Sequence, residues 1–274
     1  MNVDSRVLTA VAQFGPTADS AANRRRVAEL VRSAATQGAR VVVLPEYSNY
    51  FIDPFDASLD AHAETLDGPF VSALQQLAAQ TRTCIVAGLL ERGDAHRVRN
   101  TVVAVTEAGP IAVYRKIHLY DAFGQRESDW IQAGETTQPQ TFVVGGIRFG
   151  LMTCYDLRFP EMGRILADAG ATAFLVPAEW VRGPLKEHHW QTLLQARAIE
   201  NTAYVVAADH PPPLGVGLSG VIDPQGVTVA GVGSGTGIAL AHLDPGLVAG
   251  VREQNPALRL RRFRVIADSP QPGR

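Results

Sequence analysis

Apolar runs of strand length alternate along this chain with segments of helical periodicity, and that alternation restricts the fold to helices layered on β-sheet. Residues 6–14 read as a first strand. Residues 19–37 then place Val27, Leu30, Val31 and Ala34 at helical spacing, with Asp19 or Ser20 as N-cap and Gly38 as terminator. A fully apolar strand at 41–44 is closed by Pro45-Glu46. A second helix follows Gly68-Pro69, with Val71, Leu74, Leu77 and Ala78 on one face. Strands are expected at 84–90, 101–105 and 111–115, the last running into Lys116. Residues 117–140 form a long connection without periodicity, a length that usually carries function.

Gly145-Gly146, between strand patterns at 141–144 and 147–153, is a two-residue hairpin signal. A helix after Pro160, a strand at 173–176, a helix over 185–201 and a strand at 204–208 repeat the alternation. Short strands at 220–222, 228–231 and 238–242 follow, joined by turns that include Asp223-Pro-Gln-Gly226. The glycine-rich stretch 231–237 fits such a turn better than a dinucleotide fingerprint. With no linker or repeat in 274 residues, a single domain over 1–274 is expected. Its last part, about 259–274 and opening on the basic segment 259–264, reads as a solvated tail or as an arm on a second subunit.

A net charge of −2 gives no reason to expect nucleic acid or an anionic membrane as partner. Two cysteines cannot build a disulfide framework, and no apolar run approaches the roughly 18 residues that span a bilayer. Asp4, Arg6 and Gln13 break the apolar stretch a signal peptide would need. A soluble, cytoplasmic protein is expected.

Ligands of α/β sheets sit beyond the carboxyl ends of strands. Three strand patterns here end on reactive side chains: Glu46 after Val-Val-Val-Leu-Pro, Lys116 after Val-Tyr-Arg, and Cys154 after Leu-Met-Thr. A carboxylate, an ammonium and a thiol supply a base, an oxyanion partner and a nucleophile for acyl transfer. Taken singly, Glu46 and Lys116 equally suit a surface ion pair, and Cys154 a small buried hydrophobe. A Cys154–His118–Asp121 arrangement is the competing catalytic reading, and a catalytically silent binding protein the competing non-enzymatic one.

Leu44-Pro-Glu46, Tyr114-Arg-Lys-Ile-His-Leu119 and Cys154-Tyr-Asp-Leu-Arg-Phe-Pro-Glu161 resemble, in order, the three catalytic motifs of the nitrilase superfamily of carbon–nitrogen hydrolases. The resemblance continues through Arg197-Ala-Ile-Glu-Asn201 and the Asp223 turn. It implies a four-layer α-β-β-α sandwich that dimerises into an eight-layer assembly, or forms a higher homo-oligomer. It also implies Cys154 as nucleophile, Glu46 as general base and acid, and Lys116 with the Tyr155 N–H as oxyanion partners. Glu127 is implied as the helper carboxylate. The substrate would be a small-molecule amide attacked with water, with neither metal nor organic cofactor. A thiol beside Lys116 and a helix start is expected to have a lowered pKa. Crowding of Glu46 against Glu127 should raise one carboxyl's pKa.

The cysteine motif is closest to the ω-amidase and deaminated-glutathione amidase branch; true nitrilases carry Trp-Glu where Tyr155 and Asp156 stand. Arg158 would contact a substrate carboxylate in that branch, or pair structurally with Asp156 or Glu161. That branch reads Pro-x-Ala-Phe-Thr after the 173–176 strand, whereas this chain has Pro177-Ala-Glu-Trp-Val-Arg182. Trp180 and Val181 are therefore expected to reshape the pocket and Glu179 or Arg182 to add a charged contact, and an N-carbamoyl amine or amino acid is the alternative substrate. Tyr47, Tyr50, Phe51 and Phe123 are candidate pocket walls.

Overall fold

The computed structural model describes residues 6–94, 97–135 and 138–266. Its strands form two six-stranded sheets. In the first, β1 (Val7–Gln13) and β2 (Val41–Val43) lie parallel, and β2 lies parallel to β3 (Cys84–Arg92). The antiparallel strands β4 (Val98–Thr106) and β5 (Gly109–Arg115) complete one edge. In the second, β6 (Thr141–Val144), β7 (Ile147–Leu151), β8 (Ala173–Pro177), β9 (Tyr204–Ala208), β10 (Gly220–Ile222) and β11 (Thr228–Gly231) follow in order. The last strand, β12 (Gly237–Leu243), returns to pair antiparallel with β1.

Side-chain alternation builds the layers. Val41, Val43, Cys84 and Val86 join the core between the sheets, while Val42, Leu44, Ile85 and Ala87 face the opposite way. That outer face packs on α1 (Ser20–Thr36) and α3 (Pro69–Thr81) through Val27, Val31, Phe70 and Leu74. The second sheet is covered by α4 (Pro160–Asp168) and α5 (Lys186–Asn201), which contribute Met162, Leu166, Trp190 and Leu194. The result is the α-β-β-α sandwich expected. Because both faces of β2, β8 and β9 are covered, these strands are hydrophobic throughout.

Helix limits follow from local chemistry. The Asp19 carboxylate accepts from the Ala22 N–H and caps α1, and Gly38 at φ +91° reverses the chain after it. Three α-helices lie outside the expected pattern: α2 (Ser58–His62), α6 (Pro245–Gln254) and α7 (Ala257–Leu260). The 228–231 and 238–242 strands bracket the glycine-rich turn, where Gly233 and Gly235 carbonyls accept from Gln13. The basic segment packs on its own chain as far as Arg261, whose guanidinium pairs with Asp168; Phe263 beyond it is exposed. Residues 267–274 of the expected tail lie outside the described residues. Among the described residues, no helix is long and apolar enough to cross a membrane.

Candidate active site

Glu46 follows β2 and is brought close to β3 by a glycine. A Cβ at Gly88 would overlap Tyr47 N and Glu46 Cα, so only glycine admits the backbone here. Tyr47 takes the left-handed conformation at φ 55°, and the Ser48 N–H donates to the Gly88 carbonyl at 2.9 Å. Lys116 follows β5, with its N–H on the Asn100 carbonyl of β4 at 2.8 Å.

The third motif departs from a simple strand end. β7 stops at Leu151, and Cys154 opens a 3-10 turn (Cys154–Arg158) with φ 44°. Thr153 leaves the ladder to donate its hydroxyl to the Pro177 carbonyl at 2.7 Å, while its N–H donates to Asp156 Oδ2 at 2.9 Å. Asp156 is held in turn by the Tyr114 hydroxyl and by His118 Nδ1, each at 2.7 Å. His118 is thus turned to Asp156 and stacked on Phe159, whereas Asp121 accepts from the Ser128 N–H. The Cys154–His118–Asp121 reading has no geometric support. Arg197 donates to the Leu157 carbonyl at 3.1 Å, so the fourth motif buttresses the thiol's turn.

These three elements bring Glu46, Lys116, Glu127 and Cys154 to one cavity of 340 Å³, together with Tyr47, Phe51, Tyr120 and Glu179. The buried Lys116 ammonium lies 3.0 Å from Glu46 Oε1 and 2.9 Å from Glu127 Oε2. Asn100 Nδ2 donates towards Glu46 Oε1 at 2.5 Å and Glu127 Oε1 at 3.1 Å. Glu127 also accepts from the Tyr47 hydroxyl at 2.8 Å and the Tyr120 N–H at 2.6 Å. Across the sheets, the Glu179 N–H donates to Glu46 Oε2 at 2.6 Å, and the Cys154 thiol donates to the Glu179 carbonyl at 3.3 Å. Such bonding is what lets three charges stand in an interior that would otherwise expel them.

Two carboxylates sharing one ammonium titrate differently. Burial and the Glu127 charge push Glu46 up against the pull of Lys116. For Glu127, burial is outweighed by Lys116 and the bonds from Tyr120 and Tyr47, so its pKa lies below the usual value. Burial works against the Lys116 charge, yet Glu127 and Glu46 prevail and hold its pKa well above the ordinary one. The expectation of a lowered thiol pKa is corrected. Burial and the Glu46 charge push Cys154 well up, and Lys116 does not offset them.

A narrower recess opens beside Cys154, lined by Tyr155, Arg158, Trp180 and Lys186, with Tyr120, Glu179 and Val181 shared between the two spaces. Arg158 makes neither of the ion pairs that a structural role would need. Its guanidinium lies 4.7 Å from the Trp180 ring centroid, and Nε and Nη2 are buried without a hydrogen-bond partner. The Trp180 indole donates to the Lys186 carbonyl at 3.0 Å. Tyr50 stacks on His62 away from the cavity, and Phe123 is 65% exposed over the recess.

Asn100, Tyr120 and Lys186 were not legible as site residues. The one signal that marks Asn100 is its place directly before the 101–105 strand pattern, where an asparagine is disfavoured. His210 is another: its Nε2 bonds the Glu46 carbonyl at 2.8 Å, its Nδ1 is buried without a partner, and burial lowers its pKa to about 4.

A four-layer sandwich with a thiol, an ammonium and two carboxylates around one cavity defines a nitrilase-like protein. The family model for carbon-nitrogen hydrolases matches residues 8–253, and the chain belongs to that family. It is 40% identical over 258 residues to a deaminated glutathione amidase of Escherichia coli O157:H7, covering 94% of this chain and 98% of the relative. Among solved structures it is similar to Saccharomyces cerevisiae Nit3, of branch 10 of the nitrilase superfamily, with a TM-score of 0.84 and 29% identity over 94% of this chain and 97% of that one. It also resembles an amidase from Nesterenkonia sp., with a TM-score of 0.79 and 26% identity over 94% of each chain.

Proposed function

We propose that this carbon–nitrogen hydrolase cleaves a small, linear, carboxylate-bearing amide through a thioester on Cys154, releasing ammonia or an amine. Glu46 takes the Cys154 proton as sulfur attacks the amide carbon. Lys116 and the Tyr155 N–H receive the charge that develops on the carbonyl oxygen. Glu46 then returns its proton to nitrogen as the C–N bond breaks. Water attacks the thioester, gives a proton to Glu46 and a hydroxyl to the acyl carbon, and sulfur leaves to recover that proton. A thiol with a raised pKa suits this sequence, because proton transfer accompanies attack and no standing thiolate is needed. Glu127 keeps Lys116 aimed at the oxyanion position.

The observation that carries the reading is the bonding of Glu46 between Lys116 and the Glu179 N–H, in the same cavity as the thiol. The buried, unpartnered nitrogens of Arg158 beside it support an acyl group that ends in a carboxylate. The name of the Escherichia coli relative, a deaminated glutathione amidase, supports an amide as the substrate class. Ammonia or amine release should be measured on ω-amides, N-carbamoyl compounds and nitriles, with Cys154→Ala as control. Turnover of ω-amides is expected. Turnover of nitriles alone would contradict the proposal.

A further inference from the structure

The recess beside Cys154 contains a second cation that the reaction above does not use. Lys186 opens α5, directly after Leu185 has turned the chain at φ 61°. The residue is buried at 6% exposure, and its ammonium is bonded to the Tyr120 hydroxyl at 2.6 Å. It stands 3.9 Å from the Phe123 ring centroid, and the Arg158 guanidinium stands 5.3 Å from the same centroid. Two cations thus share one aromatic wall. Among the described residues neither has a carboxylate within ion-pairing distance.

Desolvated like charges repel, and proteins do not retain them without a counter-charge. The acid that lines the same recess is Glu179. Among the described residues it forms no ion pair with either cation, and burial, Asp209, Glu46 and Asp53 push its pKa well above the usual carboxylate range. Burial first, and then Arg158, lowers the Lys186 pKa against the pull of Cys154 and Glu179. Tyr120 ties the recess to the reaction cavity, because its N–H holds Glu127 and its hydroxyl holds Lys186.

From this geometry we infer that Lys186 is a specificity-determining residue, which with Arg158 forms a two-cation clamp for the carboxylate of the substrate's acyl group. The inference rests on the proposal of a carboxylate-bearing amide and adds the residue that selects it. Arg158 supplies a directional fork through Nε and Nη2, and Lys186 a point charge beside it.

The test compares two amides of similar length, the succinic acid monoamide and butyramide, in the wild type, Lys186→Met and Lys186→Arg. Lys186→Met should lower the preference in kcat/KM for the charged amide over the neutral one by at least roughly tenfold, with most of the change in KM. Lys186→Arg, which keeps the charge, should recover part of that preference and shows that position 186 tolerates substitution. An unchanged preference ratio in Lys186→Met, whether both activities fall or neither does, would overturn the clamp. A wild type that prefers butyramide would instead overturn the carboxylate reading itself.

Discussion

The backbone N–H of Glu179 donates to Glu46 Oε2 at 2.6 Å, joining the end of β8 in one sheet to the end of β2 in the other. The carbonyl of the same residue receives the Cys154 thiol. The proposed base and nucleophile are therefore both bonded to the backbone of a single residue, and the relative position of the two sheets fixes their geometry.

As the proposed base, Glu46 must be ionised to accept the thiol proton, and its pKa is raised by burial and by Glu127 against the pull of Lys116. kcat/KM should accordingly fall as pH drops through a value above 4.5, the ordinary carboxylate value. Glu127→Gln removes a charge that raises Glu46, so the acid limb should move to lower pH while kcat falls through loss of Lys116 alignment. Glu46→Gln should cost about 10²–10⁴-fold in kcat at every pH. A pH–rate profile of each variant reads both effects.

Gly88→Ala is predicted to be damaging despite its small size. The new Cβ overlaps backbone at Tyr47 and Glu46, which has no flexible end to move aside. A stability loss of about 1–3 kcal/mol is expected by urea denaturation, with a disproportionate loss of kcat because Glu46 is displaced.

His210 gives the fold a defined acid sensitivity. Its pKa is about 4 in the folded protein against 6.5 for the free side chain. The unfolded chain takes up the proton first, so stability is fully present above pH 6.5 and is lost as pH falls towards 4. The loss amounts to about 2 kcal/mol at pH 5. His210→Gln should flatten this slope, as seen in urea midpoints at pH 7 and pH 5.

Iodoacetamide should modify one thiol. Cys84 is buried in the core between the sheets, and burial pushes its pKa up to about 12. Cys154 opens on the cavity beside a base that can accept its proton. Mass spectrometry should find a single adduct on the Cys154 peptide, forming more slowly in Glu46→Gln.

Much of the layering could be read from residues alone, because central strands such as 41–43 and 84–90 are apolar on both faces and are bounded by Gly and Pro. The helix over 245–254 was missed, since the short strands before it set a pattern of turns and its Pro245-Gly246 start reads as another. The strand-end rule found Glu46, Lys116 and Cys154 because each closes a strong apolar run. Nothing comparable marks Lys186, which follows Gly183-Pro184-Leu185 and reaches the site only through a left-handed turn. The thiol's protonation was misjudged for a related reason: neighbouring charges show in the motifs, but the burial that outweighs Lys116 emerges only when the two sheets close over Cys154.

The central claim is a covalent acyl group on Cys154. Intact-mass analysis of enzyme quenched during turnover of the succinic acid monoamide tests it most directly. The account predicts an added succinyl group, mapped to the Cys154 peptide and released by hydroxylamine. Undiminished turnover by Cys154→Ala, or an acyl group carried on any other residue, would contradict it.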